Sequence, residues 1–150
     1  MNLQGDEPLI NVEDIQNLHS QMIKTKSKLG TLASNILNEA LYNQQHVVKV
    51  KTKESFENSQ FPEAVNFMRK TNQANQNTYH HLGIYCYHVE TLESFISFNQ
   101  TPNEIKYKLE QLRALDNNLK INVAVAKSSP IGLDTEEDFV AIKKIMEYKS

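Results

Sequence analysis

Apolar residues recur along the chain in two rhythms, and the switches between them divide it into helices and strands. Val12, Ile15, Leu18 and Met22 follow a helical spacing. Asn11 and Asp14 open that helix as an N-cap and N3 pair, and Gly30 sits where a C′ glycine belongs. Residues 31–34 and the β-branched run 47–51 read as short strands. From 80 to 87 the rhythm is two: Leu82, Ile84 and Cys86 share one face, and His81, Gly83, Tyr85 and Tyr87 the other. A helix over 91–98 carries Leu92, Phe95 and Ile96. Thr101, Pro102 and Glu104 then supply cap, N1 proline and N3 glutamate for a helix bearing Ile105, Leu109, Leu112 and Leu115, which ends at Asn117 and Asn118. Ile121, Val123 and Val125 alternate as a strand, and Thr135 with Asp138 caps a last helix holding Phe139, Ile142, Ile145 and Met146. Between 52 and 78 the rhythm is weak: 64–69 fits a strand or a helical turn, and 72–77 is a polar Asn/Gln loop. Strands alternating with helices, without an internal repeat, predict a single α/β layered domain.

The opening residues stand apart. Asn2, Leu3 and Gln4 read as the end of a buried strand, Gly5 turns the chain, and Asp6 and Glu7 follow side by side. Pro8 keeps Glu7 out of the α region, so no helix starts there. A carboxylate just past the carboxyl end of a strand lies where open α/β sheets hold their ligands. By its residues alone Asp6 is as readily a turn residue bonding its own backbone. His81 and Tyr85, four apart on one strand face, can turn their polar ends into one pocket or be satisfied within a half-buried face.

Composition narrows the class. The apolar fraction of 39% and charged fraction of 23% are those of a globular chain. A net charge of −2 without a basic block gives no nucleic-acid surface. No apolar run reaches transmembrane length, and no signal-peptide pattern opens the chain. The single cysteine, Cys86, fits a reducing compartment and is read as a core residue. These features predict a cytoplasmic protein with no membrane partner. His19, His46, His80 and His88 have no zinc-like spacing.

Four segments together resemble the 3-deoxy-manno-octulosonate cytidylyltransferase (CMP-Kdo synthetase) family. They are Asn2-Leu3-Gln4-Gly5-Asp6-Glu7-Pro8-Leu9-Ile10, His81-Leu82-Gly83-Ile84-Tyr85-Cys86-Tyr87, Leu109-Glu110-Gln111-Leu112-Arg113-Ala114-Leu115 and Gly132-Leu133-Asp134-Thr135-Glu136-Glu137-Asp138. The resemblance implies a mixed, mostly parallel sheet with flanking helices, of the nucleotide-diphospho-sugar transferase type. It covers the C-terminal part of such an enzyme, a partial domain cut short at its N-terminus: the family's glycine-containing basic loop, which grips the CTP phosphates, is not among these residues.

What the resemblance implies about chemistry is specific. The family joins the anomeric hydroxyl of 3-deoxy-D-manno-octulosonate (Kdo) to the α-phosphate of CTP and releases pyrophosphate, for lipopolysaccharide biosynthesis. It assigns a Mg²⁺ ion to Asp6 and Asp134, although an aspartate just ahead of a helix is also stabilised simply as a cap. It assigns sugar contacts to Gln4, His81, Tyr85, Glu110 and Gln111. Glu110 and Gln111 would lie within the 109–115 helix. Arg69 reads as a surface arginine, with an anion contact as the alternative. The expected partners are CTP and Kdo, with a homodimer or a separate N-terminal piece as the protein partner. Two other readings are a non-catalytic or partner-binding remnant of the enzyme and a sialic acid cytidylyltransferase, which the Leu-Glu-Gln-Leu-Arg helix fits poorly.

Overall fold

The computed structural model describes residues 2–3, 10–35, 44–70 and 77–127, together with 139, 140, 143, 144 and 147. Among the described residues six strands form one sheet: β1 (Asn2–Leu3), β2 (Leu29–Ser34), β3 (Lys49–Thr52), β4 (Ala64–Met68), β5 (Thr78–Tyr87) and β6 (Asn122–Val125). Its order is β4-β3-β5-β2-β6, with β1 lying against β5. Among the described residues four helices with full bounds accompany it: α1 (Val12–Thr25), α2 (Val89–Ser97), α3 (Pro102–Tyr107) and α4 (Gln111–Asp116). Segment 64–68 is thereby a strand rather than a helical turn.

The sheet is mixed, with helices on both faces, but it is not mostly parallel among the described residues. Only β2 and β6 pair in parallel; β1–β5, β2–β5, β3–β4 and β3–β5 are antiparallel. A parallel pair needs a long crossover, which β2 and β6 have, whereas β3 and β4 are joined by a short helix-free connection that returns the chain alongside itself.

Strand alternation sorts the core into two clusters. On one face Leu82, Ile84 and Cys86 of β5 pack with Leu32, Ala124 and with Leu18 and Met22 of α1. On the other, Tyr79 and Tyr85 pack with Val50, Phe67, Val123 and with Phe95, Leu109 and Leu112 of the helical segments. The arm entering β4 folds back onto the outer edge of β6: Ala64 N–H donates to Ile121 O at 2.7 Å and Val123 N–H to Pro62 O at 2.9 Å. That contact covers an edge that would otherwise present unpaired backbone groups.

Three helix boundaries differ from expectation. Helix α1 starts on Asn11, whose side chain accepts from Glu13 N–H, but it ends at Lys26 in the left-handed conformation (φ 56°), not at Gly30. Gly30 instead lies inside β2, where a Cβ would come within 2.7 Å of Met22 Sδ and 2.9 Å of Phe61 Cζ. Asp14 is buried and its carboxylate accepts from Lys127 N–H at 2.9 Å, tying α1 to the chain leaving β6. The capping box at Thr101 and Glu104 is present, yet the helix it opens breaks at Lys108 (φ 53°), so Glu110 is the N-cap of α4 and Gln111 its first residue. The break turns Leu109 and Leu112 into the core while leaving Ile105 at 61% exposure.

The turn 4–9, the loop 72–76 and the segment 128–138, with Thr135 and Asp138, lie outside the described residues, as do Ile142, Ile145 and Met146. Phe139, Val140, Lys143, Lys144 and Glu147 are helical and exposed, with Lys143 and Glu147 paired at 3.9 Å.

Candidate functional site

Strand β5 delivers the ring-bearing side of the site. Period-two alternation puts His81, Tyr85 and Tyr87 on one face, and their rings run in sequence. Phe67 meets His81 edge-on at 5.0 Å between centroids, His81 meets Tyr85 at 5.5 Å, Tyr85 meets Tyr87 at 6.0 Å and Tyr87 meets Phe95 of α2 at 5.9 Å. The guanidinium of Arg113 closes the series, 5.0 Å over the Phe95 ring.

At the far end of this series a cleft of about 40 Å³ opens between β5 and α4. Tyr85, Tyr87, Phe95, Glu110, Gln111 and Asn2 line it, over Leu29, Ala114 and Ile121. The α3–α4 break creates the Glu110 and Gln111 side of the cleft, because it brings the first turn of α4 down onto Tyr85 and Tyr87. In this form the cleft has room for little more than a water molecule.

Electrostatics set the protonation of the wall. Burial, then the neighbouring Tyr87 and Glu110, pushes the Tyr85 phenol well above its ordinary value. Burial and Glu110 push Tyr87 up to about 12, with Arg113 opposing. Both phenols are therefore protonated at neutral pH and can donate to an acceptor oxygen, while the Glu110 carboxylate accepts.

His81 occupies a different position. It is 6% exposed and does not line the cleft. Its Nε2 lies 2.9 Å from Thr31 Oγ1, and that hydroxyl lies 2.7 Å from Ile84 O, beside the register shift between β2 and β5. The hydroxyl has one proton, which goes to the carbonyl, so its oxygen accepts from Nε2–H and fixes the tautomer. Burial, with His80 adding to it, lowers the His81 pKa to about 3. The imidazole is thus neutral and acts on the cleft only through Tyr85.

Arg113 is the largest feature that sequence reading passed over. Its Nε donates to Glu104 Oε2 at 2.8 Å, its Nη2 donates to Glu104 Oε1, and Nη2 lies 3.4 Å from Glu110 Oε1. The hydrogen bond from Arg113 holds the Glu104 carboxyl below its ordinary range, and Glu104 raises Arg113 in return. Tyr87 was also passed over, although its place two residues beyond Tyr85 on the same face was visible. The spacing of Glu110 and Arg113, three apart, was the available signal for their pairing.

Of the residues expected at the site, the structure brings Tyr85, Glu110 and Gln111 together and leaves His81 behind them. Gln4, Asp6 and Asp134 lie outside the described residues. Among the described residues no group of three His, Cys, Asp or Glu side chains is placed to hold a metal ion. Arg69 is partly exposed, and its guanidinium donates to the carbonyls of Gln45, His46 and Lys108, each at 3.3 Å. It lines a larger cleft of about 820 Å³ between β4 and helices α3 and α4, which contains none of the expected sugar contacts.

Comparison with known proteins bears on this arrangement. Residues 1–121 match the family model described as cytidylyltransferase. A 3-deoxy-manno-octulosonate cytidylyltransferase of Bartonella tribocorum is 36% identical over 147 residues, covering 97% of this chain and 60% of the relative. One of the same name from Thermodesulfovibrio yellowstonii is 36% identical over 151 residues, covering 97% of this chain and 59% of the relative. A solved structure of a CMP:2-keto-3-deoxy-manno-octonic acid synthetase complexed with CTP superposes with a TM-score of 0.83 at 26% identity, covering 99% of this chain and 61% of that one. The chain spans about 60% of the length of these relatives.

Proposed function

The chain belongs to the cytidylyltransferase family, and on that premise we propose that it forms the sugar-binding part of an enzyme that activates Kdo with CTP, giving CMP-Kdo and pyrophosphate for lipopolysaccharide biosynthesis. The observation that carries the reading is the meeting of Tyr85, Tyr87, Glu110 and Gln111 in one cleft. A polyhydroxylated sugar needs paired donors and acceptors at fixed spacing. Two protonated phenols, a carboxylate and an amide supply both, against an aromatic and aliphatic floor that can pack on the sugar's carbon face.

Such a transfer is limited by how well the attacking hydroxyl is aligned with the α-phosphate and by how well charge is offset there. This chain's part is alignment. Tyr85 is held by rings on both sides and Glu110 by the first turn of α4, so the wall is largely fixed before the sugar arrives. Opening the 40 Å³ cleft to sugar size then needs movement of the α4 side rather than of β5.

Mg²⁺ belongs to the proposal. Asp6 and Asp134 are its proposed ligands, since a pair of carboxylates plus substrate phosphates suits that ion, and when bound it would neutralise charge on the phosphates. Gln4 and His81 complete the proposed sugar site, His81 by fixing Tyr85. A second copy of the chain or a separate N-terminal piece is the proposed protein partner, and the cytoplasm the proposed location. No helix among the described residues is long and apolar enough to cross a membrane.

The test is titration of the purified chain with Kdo by calorimetry, repeated with Glu110→Gln and Tyr85→Phe. Each variant removes one hydrogen-bonding partner of the sugar, and affinity is expected to fall about tenfold in each. Absence of binding by the unmodified chain, or equal binding by all three proteins, would overturn the reading.

A further inference from the structure

The proposed sugar carries a carboxylate, yet the cleft presents a carboxylate of its own, Glu110, with a second, Glu104, close behind it. Glu110 is 64% exposed at the rim, while Glu104 is only 6% exposed. Two negative groups beside the binding position would repel an acidic ligand, and the repulsion grows where water is excluded. Arg113 stands between them. Its fork is occupied on one side by both oxygens of Glu104, and its flat face rests on Phe95, which leaves the side chain 14% exposed and the guanidinium with little freedom to rotate. From that fixed position Nη2 reaches Glu110 Oε1 at 3.4 Å.

We propose that Arg113 is a positioning residue for sugar binding: anchored by Glu104 and Phe95, it orients the Glu110 carboxylate at the cleft and offsets its charge, so that the cleft accepts an acidic sugar. The proposal rests on the reading of the cleft as the Kdo site. It assigns unequal parts to two residues that touch each other. Glu104 belongs to the capping box of α3 and fastens Arg113 from behind, without lining the cleft between β5 and α4. Arg113 is the one that acts on Glu110. A lysine cannot replace it, because an ammonium is a point donor that cannot fork onto Glu104 and reach Glu110 together.

The experiment compares Glu104→Gln with the double variant Glu104→Gln/Arg113→Met. Glutamine keeps an oxygen for Arg113, and removing the charges in pairs leaves no orphaned ion in the interior. Each protein is titrated with Kdo and with Kdo methyl ester, and its melting temperature is recorded. Glu104→Gln is expected to bind Kdo within about threefold of the unmodified chain, and the double variant about tenfold or more weakly, with a smaller loss for the uncharged ester. Equal binding by the two variants, a loss in Glu104→Gln matching that of the double variant, or equal losses for acid and ester would overturn the proposal and leave the sugar site standing. Failure of the unmodified chain to bind Kdo at all would remove both. Should the double variant not fold, Arg113→Lys against Glu104→Gln separates the same outcomes: a loss confined to Arg113→Lys is expected, and equal binding by the two would overturn the proposal.

Discussion

The Thr31 hydroxyl joins two groups that have no cheap alternative, the Ile84 carbonyl and the Nε2–H of His81. Thr31→Val keeps the shape and strands both, so a loss of about 1–3 kcal/mol is expected in urea unfolding. The same buried imidazole makes stability pH-dependent. Burial lowers His81 to about 3, with His80 adding to the shift, and burial, then Lys49, lowers His80 to about 4, both from an ordinary value of 6.5. The unfolded chain therefore takes up protons near pH 6.5 that the folded chain refuses. The neutral forms contribute fully above that pH, and their contribution is lost as pH falls toward 4 and then 3. Between pH 7 and pH 5, where carboxylates remain largely ionised, each histidine is expected to account for up to about 2 kcal/mol of lost stability. Urea titrations at the two pH values check this, and a His81→Gln variant should show a flatter dependence. The alternation of 80–87 made the shared face of His81, Tyr85 and Tyr87 legible from sequence. Depth was not legible, because period two tells which face a ring takes and not what covers that face. His81 consequently stands behind the cleft it was expected to line.

Helix ends were the elements read least well, and glycine shows why. Gly30 was expected to terminate α1, but β2 needs it for close approach to Leu18, Met22 and Phe61, whereas the left-handed positions among the described residues fall on Lys26, Lys108 and Asn118. A sequence rule that looks for glycine at a C′ position cannot see a lysine accepting that strain, nor a strand glycine keeping space open under a helix. Opposite outcomes are expected at the two kinds of site. Gly30→Ala should destabilise by about 1–3 kcal/mol through overpacking, since of the three nearest groups only the Met22 thioether yields easily. Lys26→Gly should instead stabilise by up to about 1 kcal/mol by relieving left-handed strain. Thermal denaturation of the two single variants checks both signs. The same blindness to lysine concealed the Lys108 break. Without it Glu110 reads as a mid-helix surface residue; with it, Glu110 becomes the N-cap that faces Tyr85 and Tyr87.

At the scale of the molecule, strand–helix alternation was enough to give an α/β layered domain, and the family resemblance added a mixed sheet with flanking helices, but neither gave the strand directions. Nothing in the rhythm of 49–52 and 64–68 distinguishes a hairpin return from a crossover, and the fold-back of 62–64 onto β6 depends on contacts far apart in sequence. The cleft wall of Tyr85, Glu110 and Gln111 was legible through residues that the family resemblance singled out, while Arg113 needed the spatial meeting of two glutamates. The phosphate side follows from chemistry. A triphosphate is held by backbone amides in glycine loops backed by basic side chains. The chain's four glycines are Gly5, Gly30, Gly83 and Gly132, and no two of them lie close enough to make a glycine-rich loop. The purified chain with CTP, Kdo and Mg²⁺ is therefore expected to bind the sugar and yet release pyrophosphate no faster than the uncatalysed background. The check is a coupled pyrophosphate assay run beside an Asp6→Asn variant. Release that falls by about 10² or more in that variant would mean that Asp6 and the rest of this chain assemble a working transfer site without such a loop. Equal background in both proteins, together with Kdo binding, would assign the chain the sugar half of the reaction and leave the nucleotide half to residues outside it.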